Sequence, residues 1–257
     1  MDFTLKKYRE LLLVLQNKGY ISLTFNEYLQ LSRPERFIIL RHDVDKKPKN
    51  SLATARLETS LGMKASYYFR AVPESWDEPI IKEIASLGHE VGYHYESLTT
   101  CNGDMSSAMR DFETNLNRLR KLVPVTTICM HGSPRSPWDS KDLWENSSYR
   151  DMGIVGEPYF DVDFSDVFYL TDTGRRWDGF KMSVRDKIPE HQDRWCHEGL
   201  VFHSTDNIIE ALNNGRFPHH IMMTTHPQRW NDKLVPWTKE LLLQNTKNLV
   251  KRILVKS

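Results

Sequence analysis

The sequence predicts an α/β fold, a parallel (β/α) barrel in a single domain. Three observations predict it. Short apolar runs rich in β-branched and aromatic residues alternate with amphipathic stretches, the order that parallel strand-helix-strand crossovers require. Several of these runs end in Asp or His beside turn residues, as strand ends do when they converge on one mouth. Gly and Pro, 12 of each, are scattered singly through 257 residues, with no linker, repeat or low-complexity tract to divide the chain.

Residues 4–18 carry Leu5, Tyr8, Leu11, Leu12 and Leu15 at helical spacing, with Gly19 where the helix would stop. A shorter helix from Phe25 to Leu31 follows, so residues 1–35 read as a helical cover on one end of the core. Phe37-Ile38-Ile39-Leu40 then reads as a buried strand leading into Arg41-His42-Asp43-Val44-Asp45. Side chains alternate along a strand, so Asp43 and Asp45 leave on one side and Val44 on the other. Two carboxylates held that close are costly unless a cation, a proton or hydrogen bonds neutralise them, so the pair points to a metal or to acid-base chemistry. Lys46, Lys47 and Lys49 follow in a loop that is either solvated or holds an anionic substrate, before a helix over 52–61 capped by Asn50 or Ser51.

A strand over 64–70, a turn at Pro73 and a helix over 78–87 repeat the unit. If 89–96 is extended, Glu90, Gly92, His94 and Glu96 share a face. His94 is then the imidazole nearest the strand's end, and Gly92 leaves room on that face for something bulky. His89 lies at the wrong end of the strand and reads as structural. Asp104 caps a helix over 104–121 with Met105, Ala108, Met109, Phe112, Leu116 and Leu119 as its stripe. A strand over 124–130 ends at His131-Gly132-Ser133-Pro134.

Residues 135–200 are the least regular part, rich in aromatics and acids, and read either as a substrate-covering insertion or as buried support for the barrel rim. His191 and His197 have no strand context. Beyond it, His203 to Asp206 cap a helix over 206–213, the strand 220–225 delivers His226, and a closing helix from about Trp237 to Val255 turns Leu241, Leu242, Leu249 and Ile253 to the core.

Composition excludes several classes. With 35 basic and 34 acidic residues interspersed, the net charge of +1 gives no field to draw nucleic acid or an anionic membrane. Cys101, Cys129 and Cys196 are too few and too scattered for a disulfide framework or a thiolate zinc site. The start of the sequence is not basic then apolar, and no apolar run approaches a membrane span. The expectation is a cytoplasmic, soluble protein; the oligomeric state is not encoded legibly.

The strand-end Asp43-Val44-Asp45, the Gly88-His89-Glu90-Val91-Gly92-Tyr93-His94 stretch and the late apolar strand ending in His226 resemble the polysaccharide deacetylase superfamily, or carbohydrate esterase family 4. The resemblance runs from about residue 37 to 230. It implies a distorted parallel (β/α) barrel of about seven strands and divalent-metal-dependent hydrolysis of an N- or O-acetyl group on a sugar or acetylated small molecule. By position it implies Asp43 as catalytic base, Asp45 and His94 as metal ligands, and His226 as general acid. Two departures stand out. Leu98 occupies the position of the family's second metal His, four residues after His94, and His131-Gly132-Ser133-Pro134 replaces its arginine motif.

A divalent ion on carboxylate and imidazole lowers the pKa of water to about 7 and polarises a carbonyl, and a mixed nitrogen and oxygen set without sulfur suits zinc. Three residues could complete the set in place of Leu98: Glu96, His131 and His226. His131 is the expected ligand, because it ends an adjacent strand and Gly132 frees the backbone to aim the ring inward. Substrate contacts are expected from Glu96, Arg176, Trp177, Arg229 and Trp230. Two other readings stay open: a metal-free carbon-nitrogen hydrolase of small amides or ureides, and a non-catalytic glycan-binding barrel with Trp138, Trp177 and Trp230 as platforms.

Overall fold

A computed structural model describes residues 1–133, 136–181, 183 and 185–255, with side chains to residue 248. In chain order the elements are α1 (Leu5–Asn17), β1 (Ile21–Leu23), α2 (Phe25–Gln30), β2 (Phe37–Val44), α3 (Pro48–Ser60), β3 (Ser66–Phe69), α4 (Glu78–Ser86), β4 (Glu90–Tyr95), α5 (Ser97–Thr100) and α6 (Met105–Arg120). They continue with β5 (Ile128–Met130), α7 (Pro158–Asp161), β6 (Phe168–Thr171), α8 (Pro189–His197), α9 (Thr205–Asn213), β7 (His220–Thr225) and α10 (Leu234–Val255). None of the described helices is long and apolar enough to cross a membrane.

All seven strands pair in parallel as a curled half-barrel, six of them in the order β5-β4-β3-β2-β7-β6 and β1 beside β2 off that path. β2 is the hub and is buried along its whole length. One edge pairs with β7 from Phe37 to His42; the other takes β1 along Phe37–Ile39 and then β3 from Arg41 to Val44. Among the described residues no ladder joins β5 to β6, and a single bridge, Thr127 to Gly156, lies in that gap. Side chains cross the seam instead. Arg185 donates to the carbonyls of Ser133 (2.5 Å) and Ser136 (2.9 Å) beyond β5, while Asp186 accepts from Tyr169, Thr171 and Thr173 at β6.

The alternation read from the sequence is the alternation observed. Arg41 and Asp43 point to the concave side, where the Arg41 guanidinium lies 5.1 Å from the Tyr159 ring. His42 points to the convex side, into a polar network under α1 and α3. There Glu58 of α3, wholly buried, accepts from Tyr8 and Tyr67 at 2.6 Å each and faces His42 Nε2 at 2.7 Å. Burial opposes its charge, but His42, then His89 and Tyr67, hold the carboxyl below the usual range.

Several boundaries differ from the sequence reading. α3 starts at Pro48, four residues early, because Lys47 turns left-handed (φ 56°) and Pro48 fills the first helical position, where a missing N–H costs nothing. The strands expected over 64–70 and 124–130 contract to β3 and β5, and β1 and β6 were not anticipated. The vacancy at Gly92 is filled from within: a Cβ there would lie 2.3 Å from the Tyr68 ring. Gly92→Ala is therefore expected to cost about 1–3 kcal/mol by overpacking, read from denaturant unfolding.

The closing helix is the largest correction. Leu242, expected in the core, is 62% exposed, and Leu241 is half-buried, while Glu240, Gln244 and Asn248 form the buried stripe. α10 rests on polar loops at the barrel mouth: Asn248 donates to the Gly174 carbonyl at 2.9 Å and Glu240 faces Lys46 and Lys47. The side chains of Leu249 and Ile253 lie outside the described residues.

Candidate active site

Three strand ends bring Asp45, His94 and His131 together at the C-terminal mouth of β2, β4 and β5, their ligand atoms within 4.8 Å of one another. His94 Nδ1 lies 2.9 Å from the Cys129 carbonyl. A carbonyl only accepts, so Nδ1 carries the proton and Nε2 presents its lone pair. Burial pushes this imidazole down to about 4 against the pull of Asp43, with His131 adding to the fall. His131 Nδ1 lies 2.8 Å from Glu96 Oε2, which fixes the same tautomer there. Glu96 is itself gripped by Arg70 through Nε (2.8 Å) and Nη2 (2.6 Å). Burial works against its charge, but His131 and Arg70 bring the Glu96 carboxyl down to about 2.

Both free Nε2 atoms face Asp45 Oδ1, at 3.7 Å from His94 and 3.5 Å from His131. Those separations are too long for hydrogen bonds, yet two ligands each about 2.0–2.1 Å from a shared tetrahedral zinc lie roughly 3.4 Å apart. Among the described residues Asp45 Oδ1, which is buried, has no hydrogen-bond partner, while Oδ2 accepts from Gln228 at 3.0 Å. A buried carboxylate oxygen facing the Nε2 atoms of two imidazoles, each with its Nδ1 engaged elsewhere, fits a divalent cation. A second grouping, Asp43, His94 and Cys129, fits less well. Arg41 engages both oxygens of Asp43, at 2.9 and 2.7 Å, and burial pushes the Cys129 thiol well above its usual value.

Across the mouth, His226 follows β7. Its Nδ1 lies 2.6 Å from Asp172, which also accepts the His226 backbone N–H (3.0 Å), the Trp230 indole N–H (2.7 Å) and Arg229 (2.6 Å). Arg229 Nη1 also lies 2.6 Å from His226 Nδ1. A guanidinium cannot accept, and the ionised Asp172 can, so the Nδ1 proton belongs to the Asp172 contact. Nε2 then points to the mouth, 3.9 Å from Asp45 Oδ2. Burial and Arg229 work against the charged imidazole; Asp172 and Asp45 outweigh them and raise its pKa.

Solved structures similar to this chain come from carbohydrate esterase family 4. One is a CE4 family pseudoenzyme from Bacillus anthracis, at 13% identity and a TM-score of 0.44 over 86% of this chain and 66% of that one. This chain thus spans just under two thirds of that protein's length. Another is the peptidoglycan deacetylase PdaC from Bacillus subtilis, at 10% identity and a TM-score of 0.40 over 86% of this chain and 99% of that one. A third is PdaA from Bacillus subtilis, a family 4 carbohydrate esterase, at 12% identity and a TM-score of 0.39 over 93% of this chain and 84% of that one. No protein-family model and no curated protein matches the sequence.

The expected substrate contacts are mostly spent elsewhere. Trp177 and Trp230 are buried, at 3% and 2% exposure, with their indole N–H groups on Thr205 and Asp172, so neither is an open platform. Trp138 is half-buried and packs on the core. Arg176 is taken up bidentately by Asp178, at 2.7 and 2.8 Å, and Arg229 by Asp172. Glu96 orients His131 and does not reach the mouth as a free group. His89 is structural, as its position suggested: it accepts the Ala65 N–H at 3.1 Å and faces the Ala55 carbonyl at 3.0 Å. Sequence reasoning missed Arg41 and Asp172. For Arg41 there was a signal, since alternation puts it on the same face as Asp43; Asp172 lies in the irregular stretch, 54 residues from its His.

Proposed function

We propose that this chain is a divalent-metal-dependent hydrolase that removes an N- or O-linked acetyl group from a sugar or glycan precursor. The observation that carries the reading is the buried Oδ1 of Asp45, without a hydrogen-bond partner among the described residues, facing the Nε2 atoms of two imidazoles whose Nδ1 atoms are held by Cys129 and Glu96. Asp45, His94 and His131 would hold the cation, and these donors suit zinc. When bound, it supplies Lewis acidity, polarising the scissile carbonyl and acidifying water.

The chain's own groups divide the proton work. Asp43 Oδ2 lies 3.7 Å from His94 Nε2, on the same side as Asp45, where it can take the proton of an attacking water. The Arg41 fork aims its carboxylate. His226, kept protonated at Nε2 by Asp172 on its other nitrogen, donates to the departing amine or alkoxide. Gln228 fixes the rotation of Asp45.

The test is zinc titration of the chelator-stripped protein together with acetate release from acetylated sugar oligomers. His131→Ala is expected to abolish tight zinc binding, and Glu96→Gln to weaken it by about 10- to 100-fold, the effect of losing a ligand's hydrogen-bonded carboxylate. Zinc bound by His131→Ala as tightly as by wild type would disprove the ligand set. Wild type that binds no zinc in excess metal would remove the metal mechanism altogether. His226→Ala should slow turnover by about 10²- to 10⁴-fold with zinc affinity retained; a zinc loss equal to that of His94→Ala would make His226 a ligand instead.

A further inference from the structure

Arg175 closes the turn that begins at Asp172, with a φ of 56° that non-glycine residues rarely adopt. It is 6% exposed, and its guanidinium carbon lies 4.7 Å from the Trp237 ring centre and 5.3 Å from that of Phe3. Nη1 donates to the Trp237 carbonyl at 2.9 Å. The remaining edge, Nε with Nη2, is the pair of parallel donors that grips a carboxylate or a phosphate. Both atoms are buried, and among the described residues neither has a hydrogen-bond partner. A buried fork left empty is costly, and rare in folded proteins.

The charges around it do not balance. Lys46 and Lys47 approach Glu240 of α10 at 3.8 and 3.6 Å, beyond hydrogen-bond range, and after burial the Glu240 charge is the strongest influence on Arg175. Asp172 and Asp2 also bring negative charge to Arg175, but their oxygens are taken by His226, Arg229 and Trp230 and by Phe3 and Thr205, so Glu240 is the carboxylate left to Arg175, Lys46 and Lys47. In the chain they adjoin residues of the candidate active site: Lys46 follows Asp45 directly, and Arg175 lies three residues beyond the Asp172 that holds His226. Glu240 belongs to the polar stripe by which α10 rests on the mouth, and polar contacts are exchanged for water more readily than apolar packing.

We propose that Arg175, Lys46 and Lys47 form a phosphate subsite at the rim of this site, so that the sugar substrate carries a phosphoester and Glu240 stands in for it in the free protein. The inference deepens the deacetylase reading and rests on it for the word substrate. A phosphate, near a charge of −2 at neutral pH, has the charge and the planar acceptor edge that the fork and the two lysines lack. A soluble sugar phosphate and a lipid-borne phosphate share this chemistry.

The experiment reads binding, not turnover, on the full chain by calorimetry. The probes are N-acetylglucosamine, N-acetylglucosamine 1-phosphate, and phosphatidylcholine vesicles with and without phosphatidic acid. The phosphorylated sugar, or the phosphatidic acid vesicles, should bind at least about tenfold more tightly than its uncharged counterpart, and which of them does so identifies the source. Arg175→Lys keeps the charge but not the fork and should lose that margin. The Lys46→Gln, Lys47→Gln pair, altering partly exposed side chains, should lose it too and guards against Arg175→Lys failing to fold. Glu240→Gln should tighten phosphate binding. If neither phosphate source exceeds its neutral counterpart, or if the lysine pair binds as wild type does, the subsite is wrong. Zinc titration of the same samples reports on the metal centre separately, so either reading can fail alone.

Discussion

Asp43→Asn is expected to slow acetate release by about 10²- to 10⁴-fold, the range for loss of a general base, while zinc affinity stays close to wild type. Asp45→Asn should lose both. The contrast follows from the geometry: Asp45 offers the imidazoles an oxygen that has no partner among the described residues, whereas both oxygens of Asp43 already accept from Arg41. That pairing adds a second consequence. The amide leaves a buried guanidinium without its counter-ion, and breaking one side of a buried pair costs about 3–5 kcal/mol. Rates must therefore be taken where unfolding curves show the variant folded. An Asp43→Asn enzyme that keeps more than about a tenth of the wild-type rate would exclude Asp43 as the base.

Glu58→Ala should be the most destabilising substitution away from the mouth, by about 3–5 kcal/mol, because Tyr8, Tyr67 and His42 lose their common acceptor inside the core. The sign of the pH dependence is fixed by the depressed carboxyl. A group whose pKa is lower folded than unfolded binds more protons in the unfolded state. Its contribution is complete above the usual glutamate range and fades as pH falls through the folded value. Wild type should lose stability steeply in acid, whereas Glu58→Ala should show a shallower slope over the same window. Urea midpoints across that range would settle it; parallel slopes would mean that Glu58 is not the ionised hub of the network.

The contrast between Asp43 and Glu58 shows what a single sequence can and cannot carry. Phe37 to Leu40 is legible because a fully buried strand must be continuously apolar, and the sheet is organised on it. Alternation then places Asp43 and Asp45 together, and strand-end histidines identify the mouth. Glu58 was illegible: an acid in a polar helix reads as solvated, and its partners come from β2, β3 and α1. β6 hid within the polar, aromatic stretch because it has only four residues, too few for a period to show. The closing helix misled for a related reason. Its leucines have the spacing of a core stripe, but the loops beneath it are polar, and Glu240, Gln244 and Asn248 match them better.

The seam between β5 and β6 raises the question of what covers the strand edges it leaves. A half-barrel whose ladder never closes has two terminal strands, each offering a row of backbone groups to any passing chain. Here the rows are short, three residues in β5 and four in β6. On the β5 side the first unpaired donor is capped from within: the Glu157 carboxylate accepts the Met130 N–H at 3.0 Å while its other oxygen takes the Tyr159 N–H at 2.6 Å. One side chain thereby performs the office of a neighbouring strand without extending the ladder. At Met130 the edge of β5 therefore has its donor engaged within the chain, in the place where an added strand would have to accept it.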